Sequence, residues 1–149
     1  VFFSVLDSDQ DGTGNISRRS VVTRPGPDIC TEQDVEALVR RFYARVQEDA
    51  LIGPVFDARV HDWEAHIQLL VDFWSALLRG TSRFRGAPMP KHLAIPGLEW
   101  AMFQRWLQLF EQTTAELGNP PMQQLADAAA HRVANAIWRR YRAPAFPFL

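Results

Sequence analysis

Four stretches of this chain repeat apolar residues at intervals of three and four, and each is bounded by capping residues, glycine or proline. That pattern commits the chain to amphipathic helices. The first stretch carries Val35, Leu38, Val39, Phe42 and Val46 behind Thr31-x-x-Asp34, which has the form of a capping box. Gly53-Pro54 ends it and leaves Val55-Phe56 as a short apolar knuckle. The second, from about Asp62 to Arg79, sets Trp63, His66, Ile67, Leu70, Phe73, Trp74 and Leu77 largely on one face, with Gly80 as its stop. The third, from about Leu98 to Leu117, carries Met102, Phe103, Trp106, Leu107 and Phe110 and closes at Gly118-Asn119-Pro120-Pro121. The fourth, from about Met122 to Tyr141, carries Leu125, Ala129, Val133, Ala136 and Ile137. No segment alternates with period two, so an all-α domain is expected.

The 149 residues are enough for one domain with a sizeable core. Its expected bounds are 31–142, with residues 1–30 as an N-terminal extension and 143–149 as a C-terminal tail. The extension is rich in Asp, Gly, Ser, Thr and Pro, lacks helical period from Asp7 to Pro27, and is expected to be disordered and outside the core. Within it, Asp7-Ser8-Asp9-Gln10-Asp11-Gly12-Thr13 copies the first half of a calcium-binding helix–loop–helix loop, but Arg18 stands where the bidentate glutamate is needed. The net charge of -1 offers no basic field for nucleic acid. Cys30, the single cysteine, rules out an intramolecular disulfide and a cysteine-built metal cluster. No run approaches the roughly 18 apolar residues of a membrane span, and Val1-Phe2-Phe3-Ser4-Val5-Leu6 lacks the basic flank and length of a secretory signal. A cytoplasmic location, without membrane or nucleic-acid partners, is expected.

The segment from Thr81 to Gly97 is hostile to helix, with Gly86, Pro88, Pro90, Pro96 and Gly97, and leaves room for one short turn around Lys91 to Ala94. It holds His92. A histidine there can serve as a hydrogen-bonding loop residue. In that stiff setting, with Leu93 to seat the turn, it can also aim an imidazole at a metal. His66 lies on the face of Leu70, Phe73 and Trp74, which is too apolar for an imidazole unless something polar or metallic lies opposite. Tyr43 and Trp106 have an ordinary use as core residues; together they offer a phenol O–H and an indole N–H to a partly negative ligand. Phe56 can stack on a porphyrin edge or close an interhelical corner. Imidazole, phenol and indole gathered from separate helices and one loop make the inventory of a haem pocket. No Cys-x-x-Cys-His is present, so attachment would be non-covalent.

From Phe42 to about Tyr141 the chain resembles the group III truncated haemoglobins, the two-over-two globins of bacteria. The resemblance rests on Phe42-Tyr43, Leu51-Ile52-Gly53-Pro54-Val55-Phe56, Trp63-x-x-His66, Phe73-Trp74 before Leu77-Leu78-x-Gly80, Gly86-x-Pro88-x-x-x-His92, and Phe103-x-x-Trp106-Leu107-x-Leu109-Phe110. It implies a truncated globin fold, two helix pairs crossed around one haem b. His92 would be the proximal iron ligand, and Tyr43, His66 and Trp106 the ligand-stabilising residues of the distal side. Phe42, Phe56, Leu70, Phe73, Trp74 and Lys91 would join His66, His92 and Trp106 in holding the cofactor, with Lys91 and nearby arginines toward the propionates. Where family members often carry tyrosine, this chain has Phe84, and the stretch from Phe56 to Trp63 leaves no room for another helix.

The resemblance implies binding of O₂, CO and NO at ferrous haem, as in oxygen transport or retention. Two polar distal donors favour retention over transport, since strong hydrogen bonds slow release. A peroxidase-like or nitric-oxide-detoxifying enzyme, fed with peroxide or NO and served by an unidentified reductase, is the alternative. A haem-free helical scaffold and a calcium-modulated globin complete the set.

Overall fold

In the computed structural model, which describes residues 23–86, 92 and 94–143, all regular structure among those residues is helical. The elements are α1 (Glu32–Glu48), α2 (Gly53–Asp57), α3 (Trp63–Arg79), α4 (Trp100–Glu116) and α5 (Pro120–Arg142). Thr31 and Asp34 form the expected capping box, with Asp34 N–H donating to Thr31 Oγ1 at 3.0 Å and Thr31 N–H to Asp34 Oδ2 at 2.8 Å. Asp62 caps α3 by accepting from Ala65 N–H, and Gly80, at φ 72°, ends it in the left-handed conformation that glycine adopts without Cβ strain.

Two proline signals read differently in the folded chain. Gly53-Pro54 does end α1's apolar run, but it also opens α2, because proline at a first helical position forfeits no intrahelical bond. A Cβ at Gly53 would stand 2.9 Å from the Gln47 carbonyl oxygen, so only glycine lets α2 start so close to the end of α1. Likewise Pro120-Pro121 belong to the first turn of α5 rather than to a terminator of α4, behind Asn119, whose side chain accepts from Met122 N–H. At the start of α4, Leu98 N–H goes to the Tyr141 hydroxyl and the helix begins at Trp100.

α1 packs on α3, and α4 on α5; contacts between α1 and α4 and between α3 and α5 join the two pairs. Val35, Leu38, Phe42 and Val46 are fully buried along α1, facing Trp74 and Leu78 of α3 and Phe110 of α4 within one core. Ala126, Ala129, Ala130 and Ala134 give α5 a slim buried face that allows close approach. Polar seams tie the pairs: Arg45 reaches Thr113 Oγ1 at 2.8 Å and also pairs with Glu116. Asp49 accepts from Arg105 at 2.7 Å and from the amides of Leu51 and Ile52, fixing the corner before α2.

The expectation that residues 1–30 stand outside the core is corrected at its C-terminal end. Cys30 is buried, Gly26 N–H donates to the Leu78 carbonyl at 3.1 Å, and Asn119 Nδ2 donates to the Ile29 carbonyl at 2.9 Å. Ile29 and Cys30 supply apolar surface that outweighs the polar composition upstream. Residues 1–22, with the calcium-like stretch at Asp7, lie outside the described residues, as do 144–149. No helix among the described residues is long and apolar enough to cross a membrane.

Candidate functional site

The two helix pairs and the segment between α3 and α4 enclose a cavity of about 750 Å³, large enough for a substantial organic cofactor on the scale of ligand sites. Its walls are mostly apolar. Phe56 comes from α2, Leu70, Phe73 and Trp74 from α3, Met102 and Phe103 from α4, and Val133, Ala134 and Ile137 from α5.

Tyr43, His66 and Trp106 all line this cavity, from α1, α3 and α4. Tyr43 is 4% exposed. Burial pushes its phenol well above the usual tyrosine range, with the neighbouring Trp106 side chain acting in the opposite direction. The phenol therefore stays protonated at neutral pH and keeps its own O–H to donate. Tyr43 and His66 meet edge to face at 5.9 Å between ring centroids, and Phe56 approaches Tyr43 at 5.7 Å. Trp63, one helical turn before His66, contacts Tyr43, Phe56 and His66 at 5.8–6.4 Å.

His92 enters the same cavity, half-buried, from the segment between α3 and α4. Its carbonyl accepts from Ile95 N–H at 3.2 Å, and Ile95 and Leu98 follow it into the cavity wall. Phe84 also lines the cavity, packed edge to face on Phe73 at 5.1 Å. His61 and His131 are both exposed: His61 edges the cavity mouth and His131 pairs with Glu111 on the surface of α4 and α5.

One sequence-predicted site residue falls elsewhere. Phe42 does not line the cavity; it is fully buried behind it, edge-on to Tyr43 at 4.7 Å, to Trp106 at 5.3 Å and to Phe110 at 5.1 Å. It supports the two donor rings instead of touching what they face. Lys91 lies outside the described residues, and the charged residues found at the cavity are Arg59, Asp62 and Arg85.

Several wall residues were not singled out from the sequence. Met102 and Phe103 share the face of Trp106 at helical spacing, a usable signal. Val133, Ala134 and Ile137 look like ordinary packing, and nothing in their pattern marks a cavity floor.

The sequence profile of the bacterial-like globins matches residues 28–137, which includes the end of the N-terminal segment that packs on the core. The group 3 truncated haemoglobin of Campylobacter jejuni is 28% identical over 112 residues, covering 72% of this chain and 88% of that protein. The crystal structure of the group III truncated haemoglobin from Campylobacter jejuni superimposes with a TM-score of 0.72 at 25% identity, covering 76% of this chain and 93% of that one. A profile match over well more than half of the chain, on a helical framework of the same shape, makes this protein a member of the bacterial-like globin family and a homologue of the group III truncated haemoglobins.

Proposed function

We propose that this chain holds one non-covalent haem b with His92 as its proximal ligand, and that it binds O₂, CO and NO on the side faced by Tyr43, His66 and Trp106. The observation that carries the reading is the convergence on one apolar cavity of an imidazole from a Gly/Pro-rich segment with a phenol, an indole and a second imidazole from three helices. The donor set fits the group. A neutral imidazole suits iron, apolar walls from Phe56, Leu70, Phe73 and Phe103 suit a porphyrin face, and Arg59 and Arg85 suit carboxylates at its edge.

Ferrous haem supplies a coordination position for a diatomic ligand; the protein decides how long that ligand stays. Tyr43 offers its O–H and Trp106 its indole N–H at the wall of the same cavity, two donors in place before a ligand arrives. The largely apolar wall lowers the local dielectric, which strengthens each hydrogen bond that forms beside it. Retention of O₂, rather than rapid delivery, follows from this arrangement. His66, in ring contact with Tyr43, supplies a second polar group on the same side. A peroxide- or NO-consuming activity would draw on the same residues, and sustained turnover with a reductant is what separates it from ligand retention.

Absorption spectra of the haem-loaded chain in the ferric, ferrous and CO-bound states test the reading. A Soret band that responds to reduction and to CO is expected; failure of the folded chain to take up haem would overturn it.

A further inference from the structure

Tyr141 stands in the last turn of α5, outside the cavity wall. Its hydroxyl donates to the Ile95 carbonyl at 2.9 Å and accepts from Leu98 N–H at 3.0 Å. Both of those residues line the cavity, and Ile95 N–H in turn donates to the His92 carbonyl at 3.2 Å. A chain of hydrogen bonds thus runs from α5 through one phenol oxygen to residue 92. The backbone between the two bonded residues is Pro96, which has no N–H, and Gly97, at φ 75°. That turn is poor in donors of its own, so the Tyr141 hydroxyl bridges its two ends. The phenol ring is fixed in its turn, stacked on Trp138 at 6.1 Å and 20°, while Trp138 packs on Phe103 of the cavity wall at 5.5 Å.

We propose that Tyr141 is a positioning residue for His92: its hydroxyl sets where the turn after His92 lies and, through that turn, the direction from which the imidazole enters the cavity. This rests on the reading of His92 as the axial ligand. Groups that hold a ligating histidine from behind act on the strength and tilt of the bond it makes, not on the reaction itself.

The test uses the full chain loaded with haem. In Tyr141→Phe the stacked ring stays and only the hydroxyl is lost. The iron–histidine stretching band of the ferrous protein, read by resonance Raman, is expected to shift or broaden, and haem loss to an acceptor protein to speed up roughly ten- to hundredfold, with helix content unchanged. An unmoved band with unchanged haem loss would overturn the proposal. His92→Gly separates this from failure of the underlying reading: its band should vanish and return with added imidazole, and a band that persists without imidazole removes His92 as the ligand. Should Tyr141→Phe not fold, Trp138→Phe loosens the stack that holds the hydroxyl and carries the same test; a shifted band supports the role, and an unmoved one ends it.

Discussion

Tyr43, His66 and Trp106 reach the cavity from within long helices, whereas His92, itself helical, reaches it from the Gly/Pro-rich segment between α3 and α4. Among the described residues, ring packing stands out on one side and backbone hydrogen bonds on the other. On the helical side, Phe42 lies behind both donor rings and Phe110 behind Trp106, so ring packing fixes the side chains from several directions. On the other side the backbone after His92 is tied, among the described residues, by hydrogen bonds from Ile95 and Tyr141, whose ring is stacked on Trp138. Packing is redundant and costly to breach, while a few hydrogen bonds can be retuned at small cost to the whole. The helical side is therefore suited to hold a fixed donor geometry, and the His92 side to adjust how a ligand is presented.

The largest effect expected lies on the His92 side. His92→Ala should abolish specific haem retention, since the remaining cavity histidines are His66, set among the distal rings, and His61, exposed at the mouth. Titration of the variant with haem checks it, and an unchanged ferrous spectrum would place the ligand elsewhere. The helical side should respond in another currency. Phe42→Ala removes a fully buried ring and should cost about 3–5 kcal/mol of stability in denaturant unfolding. Because Tyr43 and Trp106 both rest on that ring, ligand kinetics should change even though Phe42 does not touch the cavity. A variant stable to within about 1 kcal/mol would show that the distal rings do not depend on packing from behind.

Smaller changes probe the donors themselves. Loss of one hydrogen bond to a partly charged ligand is worth about 1.5–3 kcal/mol, or roughly ten- to hundredfold in O₂ release. Tyr43→Phe should show it directly. Trp106→Phe should show it through loss of the indole N–H that Trp106 brings to the same cavity. CO carries less charge when bound and should respond much less in both variants. Stopped-flow release of the two gases decides between hydrogen bonding and packing: equal changes for both would mean altered access.

The contrast between the two sides also governs what could be read from the sequence. The helices, the Thr31 cap and the Gly80 stop were legible because their signals are local. His66 and Trp106 were legible as polar atoms on apolar faces. Periodicity could not separate Phe42 from Tyr43: neighbours on a helix point about 100° apart, both are buried, and only the placement of α4 and α2 decides which one meets the cavity. Pro120-Pro121 misled because proline marks a helix start as readily as a stop. Tyr141 carried no signal at all, since its partners lie 46 and 43 residues away and are backbone groups, which every residue has.

The smallest effect expected lies on the electrostatic seam that joins the two sides. Glu32, in the first turn of α1, accepts from Ser75 of α3 at 2.9 Å and from Arg83, in the segment leading to His92, at 2.8 Å. Hydrogen bonding to Arg83 holds its carboxyl below the usual glutamate range, against an opposing contribution from burial. A carboxylate with a depressed folded-state pKa adds stability that is present above its unfolded value, near 4.3, and is lost as the pH falls through the folded value. The side chain is 38% exposed, so solvent screening limits the gain to about 1 kcal/mol or less. Glu32→Gln should therefore be slightly less stable than the parent near neutral pH, and the two should converge as the pH is lowered below about 4. Parallel denaturant melts across that range check the sign. A gap that stays constant with pH would trace Glu32's contribution to the neutral hydrogen bond with Ser75 and not to its ion pair with Arg83.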